Sequence, residues 1–129
     1  MENYILLIDD DEDEGILLEV SLQHCTKQAT VHQVMQFEHA VAFAETFVQT
    51  PDLIFLDLRL PAVSGLEILM WIRGHHRLGV VPVVVWSHAA TADEIAQSQA
   101  SGGSYFLSKT ADQTTIRELM HYICNRWLR

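Results

Sequence analysis

Short β-branched apolar runs alternate with longer amphipathic ones from one end of the chain to the other, and this alternation narrows the possible folds more than any other feature. Tyr4–Ile8 is a continuous apolar run, as expected of a strand buried on both faces. Ile16, Leu17 and Val20 then begin a helical stripe running toward Cys25. Ala29–Val34 alternates apolar with polar residues and suits an outer strand. Phe37, Ala40, Val41, Ala44, Phe47 and Val48 fall on one helical face, which Pro51 closes, and Leu53–Leu56 is a second buried strand leading into Asp57. Ser64-Gly65-Leu66-Glu67 reads as a capping box opening a helix through Arg73, and Val81–Trp86 as the most apolar strand. A second box, Thr91-Ala92-Asp93-Glu94, opens a short helix that stops before Gly102-Gly103. Ser104–Leu107 is a brief strand, and Ile116, Leu119, Met120, Ile123 and Trp127 line the last helix. Five strands and five helices in strict alternation imply a doubly wound α/β fold, a parallel sheet covered on both faces.

At 129 residues the chain is expected to be one domain, residues 1–129, and no repeat, linker or low-complexity tract divides it. Eight basic against 17 acidic residues give a formal charge of −9, which disfavours direct contact with nucleic acid or anionic lipid. No apolar run approaches the ~18 residues of a membrane span, and no basic-then-apolar leader opens the chain, so a cytoplasmic location is expected. Cys25 and Cys124, far apart in sequence, read as two small buried hydrophobes in a reducing compartment.

In an open parallel sheet, chemistry gathers beyond the carboxyl ends of the strands. There the sequence places Asp9-Asp10-Asp11, Asp57, Ser87-His88 and Lys109, far apart along the chain and on one sheet edge. Carboxylates brought close together repel unless a cation joins them, and hard oxygen donors in an open pocket suit Mg2+. A carboxylate beside such a cation, a hydroxyl and an ammonium can receive a phosphoryl group.

These residues carry a resemblance. Ile5-Leu6-Leu7-Ile8-Asp9-Asp10-Asp11, Pro51 through Pro61 with Ser64-Gly65, Pro82 through Ser87, and Phe106-Leu107-Ser108-Lys109 together resemble the receiver domain of bacterial response regulators in order and spacing. The resemblance implies a flavodoxin-like, CheY-like sheet in the order 2-1-3-4-5 with five helices. It makes Asp57 the phosphoacceptor, with Asp9, Asp10, Asp57 and the backbone carbonyl of Arg59 holding Mg2+, Asp10 directly and Asp9 largely through water. Ser87 matches the switch hydroxyl, Lys109 the lysine that contacts the phosphoryl group, and Phe106 the aromatic switch position. The implied donor is a sensor histidine kinase or histidine phosphotransfer protein. The transfer and its reversal by hydrolysis are self-catalysed, so the chain is not expected to be a metabolic enzyme.

Three features depart from the family pattern. Thr110 follows Lys109 where the family has a cis-linked proline, and Thr110-Ala111-Asp112-Gln113 reads as a capping box, so a trans bond with Thr110 starting the last helix is expected. His88 stands where a small residue is usual. No output domain is expected after Arg129, and a lone regulator whose Lys109 is not followed by Pro is similar to the single-domain regulators paired with bacterial and cyanobacterial phytochromes. Arg59, His88 and Ala89 are expected to set access to the site: Arg59 by screening the phosphoryl group, Ala89 by offering nothing to orient a water, and His88 by bulk. No carboxylate in the local sequence orients the His88 ring, which disfavours base catalysis. A homodimer is expected through the last strand and its flanking helices, with Arg117 and Arg126 on the polar side of the last helix. Two rivals remain: a phosphorylation-independent module on the same fold, and a Mg2+-dependent phosphatase with an aspartyl nucleophile. Arg59 stands where such a phosphatase carries its second Asp. His75-His76 reads as a solvated turn with its side chains pointing apart, and Trp71, Trp86 and Trp127 as packing residues.

Overall fold

The structure, a computed structural model, describes residues 2–25, 27–88 and 90–129. The elements are β1 (Asn3–Ile8), α1 (Glu12–Leu22), β2 (Ala29–Val34), α2 (Phe37–Thr46), β3 (Leu53–Leu56), α3 (Gly65–Gly74), β4 (Val83–Ser87), α4 (Ala92–Ala100), β5 (Tyr105–Ser108) and α5 (Gln113–Trp127). All strand pairings are parallel and the sheet order is β2-β1-β3-β4-β5.

Because side chains alternate across a strand, the central strands divide two cores between them. Leu6, Ile8, Ile54, Leu56, Val83 and Val85 face one core, closed by Ala40 and Ala44 of α2 and by Ile68, Leu69 and Ile72 of α3. Ile5, Leu7, Leu53, Phe55, Val84 and Trp86 face the other, closed by Leu18 and Leu22 of α1 and by Met120 and Ile123 of α5. Burial of each such large side chain contributes about 1.5–3 kcal/mol.

Several local expectations shift. α1 buries Gly15, Leu18 and Leu22, while Ile16 and Val20 are exposed, so the stripe lies on a neighbouring face of the helix. Its N-cap, Asp11, takes the N–H of Asp13. α2 ends at Thr46, which leaves Val48 outside the helix and 97% exposed. β4 begins only at Val83, since Pro82 has no N–H to give the ladder. Ser64 caps α3 through Leu66, whereas at Thr91 both bonds of the capping box form with Glu94. α5 starts at Gln113 with Asp112 as its cap, because the Thr110 hydroxyl is engaged with Ser108 Oγ at 2.7 Å. The bond before Thr110 is trans, as no described peptide bond is cis.

Cys25 and Cys124 are joined as a disulfide with their Cα atoms 6.6 Å apart, which corrects the reading of two separate thiols. Their separation of 99 residues hid the pairing. α1 and α5 pack side by side on one sheet face and bring the two residues together. The rings of His75 and His76 do not point apart either: they stack with centroids 4.7 Å apart, and His75 Nδ1 accepts from the N–H groups of Arg77 and Leu78. Trp86 is buried against Phe55, Trp71 packs on Phe37, and Trp127 packs among Tyr105 and Tyr122. No described helix is long and apolar enough to cross a membrane.

Candidate functional site

Three site residues stand one step beyond their strands, each held by a neighbouring strand's last carbonyl. Asp9 N–H donates to Val34 at 3.1 Å, Asp57 N–H to Ile8 at 3.0 Å, and Lys109 N–H to Ser87 at 3.0 Å. The backbone ladder, rather than a flexible loop, therefore fixes where these side chains emerge.

One carboxylate oxygen each from Asp9, Asp10 and Asp57 lies within 4.8 Å of the others. Asp9 and Asp57 are buried and Asp10 is exposed. Asp9 Oδ1 accepts the N–H of Asp11 at 3.0 Å, and Asp57 Oδ1 the N–H of Arg59 at 2.9 Å. The remaining oxygen of each faces Lys109, whose Nζ stands 2.6 Å from Asp9 Oδ2 and 3.3 Å from Asp57 Oδ2. Lys109 reaches them from the end of β5, passing 6.0 Å from the Trp86 ring.

Burial raises the Asp9 carboxyl above its usual range, although the Lys109 and Asp11 hydrogen bonds pull against it. Burial also works to lower Lys109, but its hydrogen bond to Asp9 and the charges of Asp57, Asp9 and Glu14 outweigh it and hold the ammonium above its ordinary value. The site thus keeps one cation among several carboxylates and carries excess negative charge. Hard oxygen donors, one of them open to solvent, fit Mg2+ or Mn2+.

Ser87 is fully buried, and its hydroxyl donates to the His88 carbonyl at 3.1 Å. Phe106 of β5 pairs with Val85 of β4 and is half-buried against the α2–α3 core. The Arg59 guanidinium bonds Glu94 Oε1 at 2.8 Å, tying the β3–α3 loop to the first turn of α4. Ala89 lies outside the described residues. His88 does have a carboxylate partner, contrary to the local sequence: Glu14 Oε1 of α1 is 3.0 Å from its Nε2.

Sequence reasoning missed two supporting residues. Gln33 of β2 donates through Nε2 to the carbonyls of Asp9 and Asp11, at 2.8 and 2.9 Å, and braces the acidic loop. Glu14 lay unnoticed within the acid run as one charge among six. The only signal for either was the topology, which sets β2 beside β1 and starts α1 close to the strand ends.

The match to known proteins runs along nearly the whole chain. Residues 5–121 match the response regulator receiver domain. The chain belongs to this family. Among solved structures it is similar to the phosphorylated cyanobacterial phytochrome response regulator RcpA, at 28% identity and TM-score 0.85, covering 99% of this chain and 95% of that one. It is also similar to the Mn2+-bound response regulator Rcp1, at 26% identity and TM-score 0.83, covering 98% and 95%. The transcriptional regulatory protein GltR of Pseudomonas aeruginosa is 34% identical over 91 residues, 70% of this chain and 35% of that protein. The chain spans only 16–50% of the length of the curated relatives it matches, most of which are longer regulators.

Proposed function

We infer that the receiver accepts a phosphoryl group on Asp57 from the phosphohistidine of a sensor kinase or phosphotransfer protein, and that this changes its affinity for a partner. The observation that carries the reading is Lys109, a buried ammonium shared between Asp9 and the Asp57 carboxylate at a strand end. The phosphorylated state of RcpA and the Mn2+ of Rcp1 support it.

An Asp57 carboxylate oxygen attacks phosphorus, the new O–P bond replaces the P–N bond, and the donor imidazole leaves with a proton from solvent. The Lys109 ammonium neutralises a phosphoryl oxygen, and the Ser87 hydroxyl leaves the His88 carbonyl to donate to another. Asp10, Asp57 and the Arg59 carbonyl would hold Mg2+, with Asp9 acting through water, since Lys109 engages Asp9 Oδ2 at 2.6 Å and Asp57 Oδ2 only at 3.3 Å. A divalent cation there supplies positive charge to the phosphoryl oxygens during transfer. The transfer and the later hydrolysis are self-catalysed, and the cytoplasm is the compartment in which such donors are charged from ATP. Arg59 stands two residues past Asp57, where an aspartyl-nucleophile phosphatase carries its second Asp, and this counts against that alternative.

A homodimer through α4, β5 and α5 belongs to the same reading, supported by the clustered rings of Tyr105, Tyr122 and Trp127 with Arg126 alongside. Arg117 also lines a cleft with Leu17 and Val20 of α1 and with His24.

The test is incubation with acetyl phosphate and Mg2+, followed by intact mass. One phosphoryl group is expected on the native chain and none on Asp57→Asn or after chelation. Equal labelling of the Asn variant would overturn the assignment.

A further inference from the structure

Glu14 and His88 are 74 residues apart and belong to different elements. Glu14 sits in the first turn of α1, which follows β1, while His88 directly follows β4. In the sheet, β3 lies between β1 and β4, and β3 is the strand that delivers Asp57. The Glu14–His88 contact therefore spans the end of β3, beside the carboxylate that the proposed function uses.

His88 is also the residue whose carbonyl accepts the Ser87 hydroxyl. A phosphoryl group on Asp57 needs that hydroxyl, so the Ser87–His88 bond must break as phosphorylation proceeds. While Ser87 holds that carbonyl, the His88 side chain is anchored by Glu14, 3.0 Å from its Nε2. Glu14 is itself well placed to hold the ring. Its side chain is only 14% exposed, and its second oxygen is buried with no hydrogen-bond partner among the described residues. The carboxylate cannot swing out to solvent without giving up this packed position.

We propose that Glu14 is a positioning residue that latches His88, keeping Ser87 on the His88 carbonyl until the Glu14–His88 contact is released. The proposal rests on Asp57 being the phosphoacceptor. The latch slows phosphorylation because the hydroxyl becomes available to the phosphoryl oxygens only when the contact opens. A partner that docks on α1 and displaces Glu14 would raise the rate without touching Asp57.

The experiment is a double-mutant cycle on the rate of Asp57 phosphorylation by acetyl phosphate at saturating Mg2+, using Glu14→Ala, Glu14→Gln, His88→Ala and the combinations with His88→Ala. A partly exposed hydrogen bond sets the scale, and Glu14→Ala is expected to raise the maximal rate about two- to fivefold without changing the half-saturating acetyl phosphate concentration. Glu14→Gln keeps an oxygen that can accept from Nε2 and should stay near the native rate. In the His88→Ala background neither substitution should change the rate further, since the latch is already gone. Three results each overturn the proposal: an unchanged or slower Glu14→Ala, equal effects of Ala and Gln at Glu14 (a charge effect alone), or additive effects of Glu14→Ala and His88→Ala. Failure of the native chain to take any phosphoryl group would instead strike the phosphoacceptor reading, and the Asp57→Asn control separates the two.

Discussion

At the scale of single residues, the site is a balance between burial and charge. Lys109 is the only basic residue among the described buried ones, and both of its partners are buried carboxylates. Lys109→Met keeps the apolar stem and removes the charge, leaving Asp9 and Asp57 to repel each other out of water. Breaking a buried pair in this way is expected to cost about 3–5 kcal/mol at pH 7, measured by denaturant unfolding. The sign of the pH dependence follows from Asp9. Its carboxyl is already raised by burial and would rise further without Lys109, and a carboxyl raised in the folded state favours folding below its unfolded value and loses that contribution as pH increases through the folded one. The variant should therefore recover stability relative to the native protein as pH falls toward 4. A penalty that does not shrink on acidification would show that carboxylate repulsion is not its cause. Lys109 itself, raised in the folded protein, contributes stability below about pH 10.4 that is lost as pH climbs through its folded value.

At the scale of elements, a close approach under the site decides how α3 joins β3. A Cβ on Gly65 would meet the Leu58 Cα and the Asp57 carbonyl, both backbone atoms that cannot turn aside. Gly65→Ala should destabilise the fold by about 1–3 kcal/mol, as overpacking does, and lower the melting temperature. An unchanged melting temperature would mean that α3 can shift freely from the loop carrying Arg59. The same scale explains what the sequence could reveal. β2 and β3 have the boundaries that their apolar patterns mark, and Thr91 caps α4 as its capping box predicts, because these signals are local. Asp9, Asp10, Asp57, Ser87 and Lys109 were legible because each ends or follows a recognisable strand. Gln33, Glu14 and the Cys25–Cys124 pair were not, since each works through a contact between elements distant in sequence. Thr110 reads as the start of the last helix, but its hydroxyl is engaged with Ser108 and Asp112 caps α5 instead, a contact the sequence pattern does not carry. The α1 stripe was misjudged because exposed Ile16 and Val20 interleave with buried Leu18 and Leu22.

At the scale of the whole molecule, the receiver has two helical layers and one chemically equipped sheet edge. β5 is the sheet's outer strand beside β4, with the rings of Tyr105, Tyr122 and Trp127 clustered there. Dimerisation through this face should give a dimer by sedimentation at roughly tens of micromolar, strengthened by phosphorylation, because a two-fold contact closes without leaving a free copy of the surface. A monomer in both states would remove the dimer from the account while leaving the site chemistry intact. Mg2+ should raise the melting temperature through preferential binding to the folded site, and Asp10→Asn should abolish most of that rise. The central claim is tested most directly by trapping the acyl phosphate. The protein is phosphorylated with acetyl phosphate and Mg2+, reduced with borohydride, digested and mapped by mass spectrometry. The account predicts homoserine at position 57 and unmodified Asp9 and Asp10. Reduction at either of those residues, or none at position 57 in a sample that carries phosphate, would contradict it.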